Sequence, residues 1–413
     1  MTNARDTRPL SGIKVLDLSR FVAGPHAAML MGDMGADVVK VEGLGGEPSR
    51  RLAPLIQGES TYFMALNRSK RGLALDLRSP AGRELLGDLI QQADILIENF
   101  RPGTLAEMGF DAPTLDALNE RLIVVSISGY GQDGPYATRG CFDSVAQAMS
   151  GLTALTGTPD GPPVRAGYYV GDYSAGLHAV IGALLALNAR SHSGKGQHVD
   201  VSLVESLLSM STTFIPGYLG AGVAPERDGN GNSHAAPADL FETSDGHVQI
   251  AASTDGLFHS LTQAMGRPEL ESDPRFATHT LRVQNAAALN AELNAWTRRF
   301  TKKQLSALLS EHEVPAAPVL TIPEVVQDEQ LRHRGFFTAI EHPVAGAVEF
   351  AGPVVRLSQT PAIATQPAPL LGQHTDEVLR HWLGASEDDI RALRGRGAFG
   401  PVARAPASQK VNP

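Results

Sequence analysis

Short apolar runs alternate through the first half of the chain with longer stretches whose apolar positions recur every three or four residues. Ile13–Leu18, Val38–Val41, Ile95–Ile97 and Ile123–Ser128 read as buried strands, whereas Pro25–Met34, Gly82–Gln91 and Leu115–Arg121 read as helices. Strands alternating with amphipathic helices imply parallel crossover units, so the spacing predicts an α/β fold with a doubly wound, mainly parallel sheet. A further apolar run, Leu177–Leu187, predicts a helix too short to span a bilayer, which takes about 20 residues.

The pattern changes near Gly217. Asn230-Gly-Asn-Ser-His-Ala-Ala-Pro237 has loop chemistry, and Asp239–Thr243 and His247–Ala252 flank Ser244-Asp-Gly246 as a hairpin would. Helices are expected over Gly256–Met265, Asn285–Trp296 and Lys302–Glu311, which together predict a smaller α+β domain. Phe336–Ile340 and Val348–Phe350 follow, then the proline-rich connector Pro353–Pro369 and a late helix over Asp376–Leu383. The expected division is 1–216 for the first part of a large domain and 217–330 for the small one. Residues 331–395 then follow the small domain, and a disordered tail occupies 396–413.

Composition narrows the function classes. A chain of 413 residues exceeds one ordinary core, and 42% hydrophobic with 19% charged residues is globular usage. The net charge of −9 disfavours a nucleic-acid partner, because phosphate binding needs a basic surface. Cys141 is the only cysteine, so an intrachain disulfide and a thiolate metal cage are excluded, and a reducing, cytoplasmic setting is expected. The polar start Met1-Thr-Asn-Ala-Arg-Asp-Thr-Arg carries no evident signal peptide.

A carboxylate between two glycines draws attention next. Asp172 stands in Arg165-Ala-Gly-Tyr-Tyr-Val-Gly-Asp-Tyr-Ser-Ala-Gly176, just before the Leu177–Leu187 run. Gly171 and Gly176 would let the backbone turn sharply and pass close to a bound molecule. The plainer alternative makes Asp172 a helix N-cap.

Blocks along nearly the whole chain separate these readings. Pro9-Leu-Ser-Gly-Ile-Lys-Val-Leu-Asp-Leu18, Val22-Ala-Gly-Pro25, Gly35-Ala-Asp-Val-Val-Lys-Val-Glu42, Asn67-Arg-Ser-Lys-Arg71, Ile97-Glu-Asn-Phe-Arg-Pro-Gly103, Ser128-Gly-Tyr-Gly-Gln-Asp-Gly-Pro135, Gly194-Lys-Gly-Gln197 and Pro369-Leu-Leu-Gly-Gln-His-Thr375 resemble, in this order, the class III CoA-transferases. That family includes formyl-CoA:oxalate and carnitine CoA-transferases. The resemblance implies that Asp172 is the nucleophile, attacking an acyl-CoA thioester to give an aspartyl anhydride and then an aspartyl-CoA thioester. It implies no metal or redox cofactor, CoA thioester being a substrate, and it implies an interlocked homodimer in which 331–395 returns to the large domain.

The same resemblance carries CoA contacts onto Val22, Ala23, Leu75, Asn99, Phe100 and Met108. Phe100 has the chemistry to stack on a purine and Asn99 to bond its edge or the ribose. Lys40, Lys70, Arg71 and Arg139 are the candidate phosphate partners, since Glu107 and Gly140 stand where formyl-CoA enzymes carry basic residues. Oxyanion donors are sought at Gly171, Gly176 and the Gly229–Gly231 loop. Val22 replaces a glutamine of the formyl-CoA enzymes, and the blocks at Asn67, Ser128 and Pro369 resemble the succinate–hydroxymethylglutarate CoA-transferases. Succinyl-CoA as donor and a dicarboxylic acid as acceptor follow, with Arg51 or Arg165 as candidates for its distal carboxylate.

Other functions compete. A dinucleotide site would need glycines after the first strand, but Leu18-Ser-Arg-Phe-Val-Ala-Gly-Pro25 lacks them and leaves Glu42 as weak support. A 2-methylacyl-CoA racemase, found in a sibling branch, needs a His base where this chain has Phe142. A non-catalytic CoA-binding subunit would not need the Asp172 segment. Among the scattered histidines His26, His178, His198 and His234, the loop residue His234 is the one worth testing.

Overall fold

The computed structural model describes residues 7–364 and 366–400. Its main sheet is a 6-stranded parallel one built from β1 (Lys14–Asp17), β2 (Asp37–Gly43), β3 (Lys70–Leu75), β4 (Ile95–Glu98), β5 (Ile123–Ser128) and β6 (His198–Ser202). Their order across the sheet is β3-β2-β1-β4-β5-β6. The order in which strands are added therefore reverses between β1 and β4, although all run parallel, and this opens a crevice at the carboxyl ends of those two strands.

The helices that accompany this sheet include α1 (Ala23–Asp33), α2 (Thr61–Asn67), α3 (Pro80–Gln92), α4 (Asp143–Met149) and α5 (Val170–Ser193). Local chemistry sets their ends. Ser79 Oγ accepts the Gly82 N–H at 2.9 Å and Pro80 opens α3, whereas α5 stops where Gly194 turns left-handed at φ 76°. Leu16, Val39, Leu73, Leu85, Leu89 and Leu96 form one core with Val378, Leu379 and Trp382 from the late helix.

Two strands escape the apolar pattern. β3 opens with Lys70 and Arg71, and β6 carries His198 and Asp200. Lys70 is buried nonetheless: its Nζ donates to Asp17 Oδ2 at 2.8 Å, to Pro25 O at 2.9 Å and to Asn67 Oδ1 at 2.9 Å. Lys40 lies between Asp17, 3.8 Å away, and Glu47 at 3.2 Å, and also donates to Ser19 O. Arg71 pairs with Asp37 and Glu377. Burial opposes ionisation of Asp17, yet the charges of Lys40 and Lys70 hold its carboxyl below the ordinary range. The same network fixes the loop after β1, since Asp17 Oδ1 accepts the Ser19 N–H at 3.0 Å.

Other expectations change in detail. The predicted helix over Leu115–Arg121 starts earlier, at Ala112, because Asp111 caps it and Pro113 suits its first turn. The run Leu177–Leu187 belongs to the 24-residue α5, which by length and composition alone is long and apolar enough to cross a membrane. It buries Ala175, Ala179, Ala183 and Ala186, leaving Leu177, Ile181, Leu184 and Leu185 exposed. The expected disorder from residue 396 does not hold for 396–400: Ala398 and Phe399 are buried, Phe399 bridges Leu75, and Ala398 O accepts the Asp76 N–H at 2.9 Å. Residues 401–413 lie outside the described residues.

The chain divides into two compact units. The first takes the described parts of 1–150, 166–212 and 330–413, so the segment after the small unit rejoins the large one. It includes a hairpin, Phe337–His342 with Gly346–Ala351, and the late helix Thr375–Leu383. The second takes 151–165 and 213–329. Its hairpin, Ala238–Thr243 with Gly246–Ala251, gains Ala316–Pro318 as a third antiparallel strand. Phe241, Val248, Ile250, Leu261, Leu293 and Leu305 fill its core.

Replacing Lys70 by Met should leave Asp17 buried with only the more distant Lys40. Removing one partner of a buried pair costs about 3–5 kcal/mol, so the urea midpoint should fall well below wild type. An unchanged midpoint would show that this lysine is dispensable to the sheet.

Candidate active site

Asp172 is the third residue of α5, in its first turn, while Tyr169 occupies the N-cap position. Its carboxylate is therefore not the cap that the plainer alternative required. Two features hold this helix end. Asp143, buried on α4, accepts the Gly171 N–H at 2.7 Å with Oδ1 and the Gln147 amide at 2.6 Å with Oδ2. Gln147 in turn accepts the Ala166 N–H at 2.8 Å, tethering the segment that leads into α5.

The flanking glycines serve close packing rather than a turn. A Cβ on Gly171 would come 3.1 Å from Asp143 Oδ1, and one on Gly176 would meet Ala23 O at 2.8 Å. Gly176 thus lets α5 lie against the start of α1. Gly171 is also corrected as an oxyanion donor, because its N–H is already taken by Asp143.

Desolvation, helped by the charge of Asp143, pushes the Asp172 carboxyl up to about 7. The positive end of α5 works in the opposite direction, favouring the anion. The neighbours register the charge of Asp172: burial first, then Tyr169 and Asp172, push the Tyr62 phenol up, and burial with Asp172 does the same to Tyr173. The Cys141 thiol is raised by burial, with Asp172 and Asp143 adding to it. Tyr62 meets Tyr169 edge-on with centroids 6.3 Å apart, completing an aromatic wall.

The residues expected to contact CoA collect at the carboxyl ends of the strands. Val22 and Ala23 open α1 after β1, Asn99 and Phe100 follow β4, and Leu75 ends β3. Val22, Ala23 and Leu75 are buried, whereas Asn99, Phe100 and Met108 are partly exposed. Asn99 braces the crevice: its Oδ1 accepts the Arg20 N–H and its Nδ2 donates to Arg20 O, both at 2.8 Å. Phe100 packs on the core edge and carries the Arg20 guanidinium over its ring at 5.3 Å.

The basic partners need correction. Lys40, Lys70 and Arg71 are engaged with carboxylates and do not face a ligand as free charges. Arg139 is exposed and stacks on Tyr136 at 3.7 Å. Sequence reasoning missed Arg101, whose Nη2 lies 3.5 Å from where a Cβ on Gly140 would be. Arg20, Arg101 and Arg139 are all exposed. The signal was its place beside Phe100; what hid it was that Gly140 is distant in sequence.

Other candidates fall elsewhere. Glu42 is engaged by Arg50 through two bonds of 2.8 and 2.6 Å, which removes the acid from any ribose role. Phe142, exposed, meets Phe21 edge-on. Arg51 is exposed in the first unit, while Arg165, the Gly229–Gly231 loop and His234 belong to the second. A cavity of about 630 Å³ opens instead at the amino ends of β2 and β3, but among its lining groups Arg71 pairs with both Asp37 and Glu377.

Comparison with known proteins finds relatives along nearly the whole chain. A family model described as CoA-transferase family III matches residues 10–375. The chain is 40% identical over 399 residues to a succinyl-CoA–D-citramalate CoA-transferase of Chloroflexus aurantiacus, covering 96% of this chain and 99% of the relative. It is 36% identical over 395 residues to the succinyl-CoA:glutarate CoA-transferase of Mus musculus, covering 95% and 90%. Among solved structures, a CAIB/BAIF family protein from Brucella suis superposes with a TM-score of 0.84 at 37% identity, covering 90% of this chain and 98% of the other.

The raised Asp172 carboxyl has a consequence for stability. The native state binds this proton more tightly than the unfolded chain, whose Asp titrates near 3.8. Stability should therefore fall as pH rises from about 4 to about 7, by up to a few kcal/mol. Asp172→Asn should be more stable than wild type above pH 7, with the gain disappearing towards pH 4. Urea unfolding across this range checks it; a difference independent of pH would contradict the shift.

Proposed function

The chain belongs to CoA-transferase family III, and from that membership we propose that it moves CoA from succinyl-CoA to a dicarboxylic acid through covalent intermediates on Asp172. The observation that carries this reading is the partly buried carboxylate at the tip of α5, raised to about 7 and without a cationic partner among its perturbing neighbours. A carboxylate stripped of water and of salt-bridge partners is a stronger nucleophile than a solvated one.

The steps balance without an added cofactor. An Asp172 oxygen attacks the thioester carbonyl, the C–S bond breaks, and CoA leaves as thiolate from a succinyl-aspartyl anhydride. The thiolate attacks the aspartyl Cγ, succinate departs, and an aspartyl-CoA thioester remains. The acceptor carboxylate attacks that Cγ, giving a second anhydride and free thiolate. The thiolate then attacks the acceptor carbonyl and Asp172 is released as carboxylate.

CoA would lie along the switch-point crevice, with its adenine near Phe100 and Asn99 and its thioester arm running past Val22 and Ala23 towards Asp172. Arg101, Arg20 and Arg139 are the cations for its phosphates. Succinyl-CoA as donor rests on what the relatives act on, and a dicarboxylate acceptor on the citramalate and glutarate in their names. The exposed apolar stripe of α5, Leu177, Ile181, Leu184 and Leu185, is the kind of surface a second copy covers, in keeping with an interlocked homodimer of the cytoplasm.

Screening carboxylic acids with succinyl-CoA by mass spectrometry should find a dicarboxylate converted to its CoA thioester. Asp172→Ala should abolish that turnover while still binding CoA; retained turnover would refute the assignment. The wild-type kcat/KM should rise with pH to a plateau above about 7, because only the ionised carboxyl attacks. Arg101→Ala should raise KM for acyl-CoA about 10-fold or more, the effect of losing a charge-assisted hydrogen bond, with kcat little changed. An unaltered KM would remove Arg101 from the phosphate site.

A further inference from the structure

His26 stands on the first turn of α1, and its backbone N–H donates to Val22 O at 2.8 Å. Its ring meets Tyr173 edge-on, with centroids 4.9 Å apart. Nδ1 is buried with no hydrogen-bond partner, and a Cβ on Gly176 would come within 2.9 Å of it. Gly176 follows Asp172 by one helical turn and shares its face of α5. His26 shares a face of α1 with Val22 and Ala23 by the same spacing. The imidazole therefore stands where the nucleophile's helix face meets the side along which the acyl arm would run.

Its chemistry is narrowed by what surrounds it. A partnerless buried nitrogen is tolerated as a bare lone pair more readily than as an orphan N–H, which assigns the proton to Nε2 of this half-buried residue. Burial, together with the charges of Arg68 and Lys70, pushes the imidazole down to about 4, so the ring stays neutral at working pH. Arg68 is paired with Asp33 and Lys70 with Asp17, yet both bias the local potential towards anions. His26 thus offers an N–H donor with cations behind it.

Resting on the transfer reaction at Asp172, we infer that His26 is a specificity-determining residue whose Nε2–H donates to the remote carboxylate of a dicarboxylic acid reacting through its other end. It is the group whose ring lies against Gly176 and Tyr173, within one helical turn of Asp172. A monocarboxylic acid of equal length would gain nothing from it.

The test compares glutarate with pentanoate as acceptors in wild type, His26→Phe and His26→Gln. His26→Phe should lower kcat/KM for glutarate about 10- to 100-fold, the range for a hydrogen bond to a charged group, and leave pentanoate unchanged. His26→Gln, which keeps an N–H at similar reach, should restore most of the glutarate rate. Equal losses on both acids, or no loss on glutarate, would overturn the inference. In an Asp172→Asn background holding CoA, His26→Phe should still weaken glutarate binding by calorimetry; unchanged affinity there would also overturn it. That arm needs no turnover, so it separates failure of this inference from failure of the Asp172 mechanism. Nitrogen-15 spectra of the resting protein should show Nε2 protonated and Nδ1 bare; the opposite tautomer would contradict the assignment.

Discussion

Asp143 is a buried carboxylate with both oxygens engaged, one by the Gly171 N–H and the other by the Gln147 amide. Through Gly171 it fixes the start of α5, and through Gln147 it fixes the approach at Ala166. Its charge then discourages a second one next door, which is part of why the Asp172 carboxyl holds its proton up to about 7. One side chain thereby positions Asp172 and adds to the desolvation that raises its carboxyl. The close approach of α5 to α1, possible because residue 176 has no Cβ, brings the same helix face to the crevice.

A second buried network supplies the frame. Asp17, Lys40, Lys70 and Glu47 tie β1, β2 and β3 to the loop that opens α1. Ion pairs in such a place contribute little net stability over apolar packing, but breaking one is costly, which makes them good devices for fixing a single geometry. Here the geometry fixed is the loop from Ser19 to Pro25, on which the expected CoA contacts Val22 and Ala23 sit. The sheet order places this loop beside Asn99 and Phe100, at the one crevice where strand order reverses.

Much of this was legible in residues. Apolar runs gave β1, β2, β4 and β5, and turn chemistry gave the hairpin around Ser244-Asp-Gly246, because these features are local. β3 and β6 were hidden because their charged residues find partners far along the chain: Lys70 meets Asp17, and His198 meets Ser126 at 2.9 Å. The same reason misplaced Lys40 and Lys70 as ligand cations. Arg101 and His26 were hidden in another way, since only the fold brings Arg101 beside Gly140 and buries His26 Nδ1 against α5. Asp172 was singled out through blocks elsewhere in the chain that carry the family resemblance, whereas Asp143 was not, because nothing in its own sequence announces a bond to Gly171.

The central claim is that Asp172 becomes covalently bonded during transfer. Incubation of the protein with succinyl-CoA and no acceptor, followed by proteolysis and mass spectrometry, should find CoA or a succinyl group on the peptide containing Asp172. Hydroxylamine should convert that carboxyl to a hydroxamate, and Asp172→Asn should show neither change, since a neutral amide cannot form the anhydride. If the wild-type peptide stays unmodified at every time point while transfer to an acceptor proceeds, CoA passes directly between substrates and Asp172 is not the nucleophile.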